Sequence, residues 1–148
     1  MFLLLDGFTG YGNSSFDVAS EIKSFKGKCF DAQNLIDLKG VAVKRWTYPC
    51  NYFEAEFKTG NGEIVTFRKN CYTSFSCLLQ AESYTSIPVI EGALTKTFEG
   101  IIVLTPEELY AKPSPEDVAK LLSKHEREAL IYWKNANVGE LMFGHLFD

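Results

Sequence analysis

Few residues in this chain have the type and spacing for chemistry. There are two histidines, His125 and His145, and four cysteines, Cys29, Cys50, Cys71 and Cys77. His125 adjoins Glu126, but consecutive helical residues point in different directions, so the two do not form a dyad. His145 and Asp148 stand three apart and can touch. A cation near a helix end is favourable in its own right, so His145 reads as a dipole partner rather than a base. Glu54 and Glu56 would lie on one strand face about 7 Å apart. Paired carboxylates can perform acid–base work. Their alternation with Phe53, Ala55 and Phe57 instead fits the solvent face of a hairpin. No cysteine pair has C-x-x-C spacing, and two histidines do not complete a zinc site. The glycines in Asp6 to Ser15 (DGFTGYGNSS) match neither G-x-G-x-x-G nor the P-loop, and there is no G-x-S-x-G elbow. The expectation is therefore a protein without catalytic residues, metal or cofactor. Folding can still bring distant groups together. The alternatives are a small enzyme with a dispersed site, such as His145 with Glu140 or Asp148, or a structural subunit.

The stretch Asn51 to Asn70 (NYFEAEFKTGNGEIVTFRKN) organises the rest. Phe53, Ala55 and Phe57 alternate with Glu54, Glu56 and Lys58, and Val65 and Phe67 with Thr66 and Arg68, the period of half-buried strands. Gly60-Asn61-Gly62 lies between them as a turn. A two-residue turn would mix apolar and charged side chains on both faces. A three-residue loop sets Phe57 opposite Val65, Ala55 opposite Phe67, Glu56 opposite Thr66 and Glu54 opposite Arg68. One face is then apolar and the other polar, which selects this register, with Gly62 left-handed as a G1 bulge. The Glu54–Arg68 pair contributes about 0.2–1 kcal/mol. An isolated hairpin is marginal, so further strands or a covering helix are required. The same register brings Cys50 and Cys71 close at the open end, where a disulfide is conceivable. Four reduced thiols are the expectation for a cytoplasmic protein.

Around this hairpin, Phe2 to Leu5 reads as a buried strand. Ser14 or Ser15 caps a helix to about Lys26, with Phe16, Ala19, Ile22 and Phe25 as its stripe and Gly27 as its stop. Cys29 to Leu38 is ambiguous in its pattern and is broken by Lys39-Gly40. Val41 to Tyr48 reads as a strand stopped by Pro49, forming a meander with the hairpin. Phe75, Leu78 and Leu79 favour a helix within Cys71 to Tyr84. Ser86 to Glu91 is extended because Ile87 precedes proline. Phe98 to Leu104 is a buried strand. Thr105-Pro106-Glu107-Glu108 opens a helix with Thr105 as N-cap, Pro106 at N1 and Glu108 at N3. Ser114 to Asp117 and Ser123 to Glu126 open two more. Asn137-Val138-Gly139-Glu140 opens a last short helix ending at Asp148. The predicted class is α+β: one domain over 1–148, an antiparallel sheet around the hairpin, and the C-terminal helices packed on one face.

Length and a 46% hydrophobic content fit one globular core. Twelve Phe, seven Tyr and two Trp fill that core first, and a surface surplus would mark an interface. The net charge of −4 argues against direct nucleic-acid binding. The acidity is local: Glu82, Glu91, Glu99, Glu107, Glu108, Glu116 and Asp117 stand against Lys96 and Lys112 within residues 82–117. Such a segment is a solvated face or a docking surface for a basic partner. MFLLLDGF is too short for a signal core and no run reaches the ~18 apolar residues of a span, so a cytoplasmic location away from membranes is expected.

The ending EREALIYWKNANVGELMFGHLFD, with Tyr132-Trp133-Lys134, Val138-Gly139-Glu140, Phe143 and Asp148, resembles that of small bacterial immunity proteins of polymorphic-toxin and contact-dependent-inhibition systems. The resemblance implies a non-catalytic protein that binds and neutralises a cognate toxin. A basic nuclease toxin would associate faster with an acidic inhibitor. The candidate partner-binding residues are Glu107, Glu108, Glu116 and Asp117, with Tyr110, Tyr48 and Tyr52 as exposed aromatics.

Overall fold

A computed structural model of the chain describes residues 17–46, 50–113 and 136–143. Its centre is the expected hairpin. Strands β2 (Tyr52–Lys58) and β3 (Ile64–Asn70) pair antiparallel, with Ala55 opposite Phe67, Phe57 opposite Val65 and Glu54 opposite Arg68. Thr59 N–H donates to the Glu63 carbonyl across the three-residue loop, and Gly62 takes φ +83°. Strand β1 (Gly40–Val43) joins β2 antiparallel, completing the meander. The strand expected over Val41 to Tyr48 ends at Val43, with Lys44 to Trp46 outside it; Thr47 and Tyr48 lie outside the described residues, as does the Phe2 to Leu5 strand.

The sheet continues where the sequence favoured a helix. Phe75–Gln80 is strand β4, antiparallel to β3, and Ser83–Thr85 is strand β5 beyond it. Phe75 to Leu79 are all buried, because helices cover both faces of this central strand. A strand buried on both sides loses the alternation that identifies it, and a short apolar run then mimics a helix. The turn between β4 and β5 was hidden too. Ala81 and Glu82 both take positive φ, +51° and +65°. That is the demand of a type I′ turn, usually announced by Asn-Gly.

Helix α1 (Val18–Leu35) starts at Asp17, not at Ser14 or Ser15, and the Asp17 carboxylate accepts from Ser20 N–H. It runs straight through Gly27 and absorbs most of the segment left unassigned. Ile22, Phe25, Cys29, Ala32 and Ile36 form a continuous stripe against the sheet. Burial of that stripe outweighs the roughly 1 kcal/mol that a mid-helix glycine costs. A Cβ at Gly27 would meet nothing within 4 Å. Gly27→Ala is therefore expected to stabilise the protein by about 1 kcal/mol, read as a higher urea midpoint at unchanged slope.

Helix α2 (Pro88–Thr97) replaces the expected extended piece. Ile87 is indeed extended, but as the N-cap residue, with Pro88 in the first turn where its missing N–H costs nothing. The buried strand expected over Phe98 to Leu104 shrinks to β6 (Ile102–Val103), parallel to β4, after Gly100 turns the chain at φ +75°. Helix α3 (Pro106–Tyr110) has the anticipated capping box between Thr105 and Glu108. Helix α4 (Val138–Phe143) starts as expected: Asn137 Oδ1 accepts from Glu140 N–H at 2.8 Å and Glu140 returns the bond to Asn137 N–H. The expected end of this helix at Asp148, and the two helices between Ser114 and Lys134, lie outside the described residues.

The antiparallel sheet with helices confirms the α+β class. Helices α3 and α4 share a core with Tyr52, Phe75, Cys77 and Leu79 on one sheet face. The opposite face carries α1, longer than the helix expected there, and α2, where an extended piece was expected. There Phe25 packs on Phe53, Phe67 and Phe98 with ring centroids 5.3–5.8 Å apart, close enough for aromatic pairing beyond simple burial. Among the described residues no helix is long and apolar enough to cross a membrane.

Candidate functional site

Two polar features stand out on the α3–α4 side of the sheet. The first is a buried seam under α4. Glu54 was expected on a solvent face, yet it is only 7% exposed. Two cations hold it there. Arg68 Nε donates to Oε1 at 2.6 Å and Lys44 Nζ to Oε2 at 2.6 Å. Burial alone would raise the Glu54 pKa; the hydrogen bonds and charges of Lys44 and Arg68 outweigh it and hold the carboxyl below its ordinary value. The Arg68 guanidinium lies 4.9 Å from the Tyr52 ring centroid, and its Nη1 donates to the Phe143 carbonyl at 3.0 Å. Asn51, just before β2, and Asn70, at the end of β3, lie together at the open end of the hairpin and donate through Nδ2 to the Leu141 and Met142 carbonyls, each at 3.0 Å. Three successive α4 carbonyls thus receive donors from the hairpin. Helical carbonyls carry the negative end of the peptide dipoles, so the Arg68 cation complements them. A carboxylate saturated by two cations is suited to fixing structure, not to taking a proton.

Three of the four thiols are poorly suited to act as nucleophiles. Burial pushes Cys29 and Cys77 up from the ordinary thiol value, and Cys71 up to about 12; a thiol in that state is unreactive. All four cysteines are thiols. Cys50 packs with the α4-side core and Cys71 with the α1-side core. The two lie near one another at the open end of the hairpin, as the register implies, with Cys71 N–H donating to the carbonyl of Asn51, the neighbour of Cys50, and they are not bonded to each other. No cluster of three metal-ligating side chains occurs among the described residues.

The second feature is a surface at the β5 edge. An open groove of about 640 Å³ is lined by Glu63, Ile64, Gln80, Ala81, Ser83, Tyr84 and Thr85. Among the described residues that line it Glu63 is the charged one, oriented by Gln80 Nε2 at 2.8 Å from Oε2. Tyr84 is crossed edge-on by Tyr110, with centroids 5.0 Å apart, and Tyr84 N–H donates to the Tyr110 hydroxyl. Tyr110 is 52% exposed. Glu107 is exposed one helical turn before it, on the same side of α3. Lys58, the register partner of Ile64, and Lys112, two residues after Tyr110, are also exposed.

The candidate binding residues therefore divide. Glu107 and Tyr110 share an exposed helix face. Glu108 is committed to the α3 capping box, where its side chain accepts from Thr105 N–H at 3.0 Å. Tyr52 is buried rather than exposed, because the even-numbered face of β2 is covered by α4 and Arg68. Tyr48, Glu116, Asp117, His125 and His145 lie outside the described residues. Glu63, Ile64, Gln80 and Tyr84, which line the groove, are not among the residues singled out from the sequence. Their grouping depends on β4 and β5 being strands, which the buried run concealed. Comparison with protein-family models, with curated proteins and with solved structures finds no match to this chain.

Proposed function

We propose that the protein is a non-catalytic binding module, an immunity protein that occupies and neutralises a cognate bacterial toxin in the cytoplasm. The observation that carries this reading is the exposed acid–aromatic face of α3, Glu107 with Tyr110, set on a fixed scaffold beside the β5 edge. Tyr is an effective interface anchor because it brings a large, stiff, amphipathic surface. Carboxylates around it accelerate encounter with a basic partner such as a nuclease. The C-terminal resemblance supports the same class. Within that ending, Val138 and Gly139 of α4 are buried, and Glu140, exposed, closes the capping box with Asn137, so the motif has a scaffold role.

Charge reversal tests the surface. Glu107→Lys leaves the α3 capping box intact, unlike a change at Glu108. It is expected to weaken toxin binding by roughly tenfold at physiological salt, chiefly through the association rate. Titration calorimetry with the folded variant reads this directly. A Val89→Lys control on α2, across the sheet, should bind as wild type. Unchanged affinity of the Glu107 variant would remove this face from the interface.

A further inference from the structure

The groove beside Tyr84 has the composition of a seat for a cationic side chain. Glu63 supplies a carboxylate held in place by Gln80. Tyr84, braced by Tyr110, supplies aromatic surface, and Ile64, 45% exposed, supplies an aliphatic contact at the rim. Glu82 adds a second exposed acid in the turn between lining residues Ala81 and Ser83. We propose that this groove receives an arginine-bearing segment of the partner protein. A guanidinium can pair bidentately with Glu63 and lie against tyrosine at once, and its methylene stem can cover Ile64. Lysine has the charge but neither the planar fork nor the stacking surface, so arginine is favoured. Lys58, across the strand pair from Ile64, opposes a cation and limits the affinity. The assignment rests on the binding-module reading only in taking the occupant to be a segment of a protein.

A peptide titration tests it without the partner. The full-length ¹⁵N-labelled protein is titrated with Ac-Gly-Arg-Leu-Arg-Gly-NH₂ and with its Lys and Glu counterparts. Amide shifts are expected at Glu63, Ile64 and Ser83 to Thr85, larger for the Arg peptide than for Lys and absent for Glu. Glu63→Gln should weaken Arg-peptide binding by roughly two- to fivefold, the range for an exposed ion pair, and Lys58→Glu should strengthen it by a similar factor. Shifts centred elsewhere, no shifts at millimolar peptide, or indifference to Glu63→Gln would overturn the assignment. So would shifts at these amides on concentrating the protein alone, which would seat a second copy there. The two readings fail separately. A toxin bound equally by wild type and by Glu63→Gln/Ile64→Asp removes the groove and leaves the immunity reading. A groove filled by the peptide in a protein that neutralises no toxin does the reverse.

Discussion

Arg68→Ala will destabilise the fold by about 3 kcal/mol, the lower end for breaking a buried ion pair, because Arg68 itself is 23% exposed. The loss has two parts. Glu54 stays buried with only Lys44, whose side chain is 58% exposed and screened by water. The Phe143 carbonyl loses its donor, which loosens α4 on the sheet. Lys44→Ala should cost less than about 1 kcal/mol. The double variant Glu54→Gln/Arg68→Met should recover part of the Arg68→Ala loss, because no uncompensated charge remains buried. Urea denaturation at pH 7 ranks the three. The same seam predicts a pH dependence. The folded Glu54 carboxyl titrates below its unfolded value of about 4.3. Its contribution is therefore fully present above about 4.3 and is lost as pH falls through the lower folded value. The stability gap between wild type and Glu54→Gln should hold from neutral pH down to that point and close below it. A gap that widens on acidification would contradict the pairing.

Gly139→Ala will destabilise by roughly 2–3 kcal/mol, the upper range of overpacking. In a solvated helix the same change would be favourable by about 1 kcal/mol. Here a Cβ at 139 would stand 2.5 Å from Tyr84 Cζ and closer still to the hydroxyl. Neighbours on both sides resist a shift: Val138 and Leu141 are buried in the core, and the Tyr84 ring is packed against that core and crossed by Tyr110. Removing the ring removes the conflict. In a Tyr84→Ala background, Gly139→Ala should be neutral or mildly stabilising, so the double-mutant cycle gives a coupling near the full cost of the single change. Thermal melts of the four proteins measure it. Additive effects would show that Gly139 is not held by Tyr84.

These two sites show what a sequence can and cannot disclose. The hairpin register was legible because Glu54, Glu56 and Arg68 alternate with Ala55, Phe57 and Phe67 about a G-N-G loop, and one slip would have exposed every phenylalanine. The Thr105–Glu108 and Asn137–Glu140 boxes were legible because they are local hydrogen-bond chemistry three residues apart. Position 27 misled, since glycine marks helix ends only on average and the Cys29–Ala32 stripe decided the matter. Strand β4 was illegible: its burial on both faces depends on helices far away in sequence, and the Ala81-Glu82 turn carries no glycine or asparagine to announce it. The seam was half legible. The Glu54–Arg68 pairing follows from register. The bonds from Asn51, Asn70 and Arg68 to α4 span 72 to 90 residues, and nothing local encodes them. Val138-Gly139-Glu140 could be seen as a motif, but its glycine acquires a reason only when Tyr84 is placed against it. The groove fell with β4 and β5, whereas the exposed face of α3 survived because its capping box fixed the helix phase.

We propose that the protein neutralises a toxin by binding it. The most direct test is capture by the tagged full-length protein from lysate of its source organism, at about 150 mM salt, roughly the physiological ionic strength, followed by assay of the captured protein's toxicity with and without its captor. One dominant partner is expected, the toxic C-terminal piece of a large secreted protein, that is harmless while bound, becomes toxic on release, and is held less well by Glu107→Lys. A lysate shown to contain that toxin, from which nothing is retained, would contradict it.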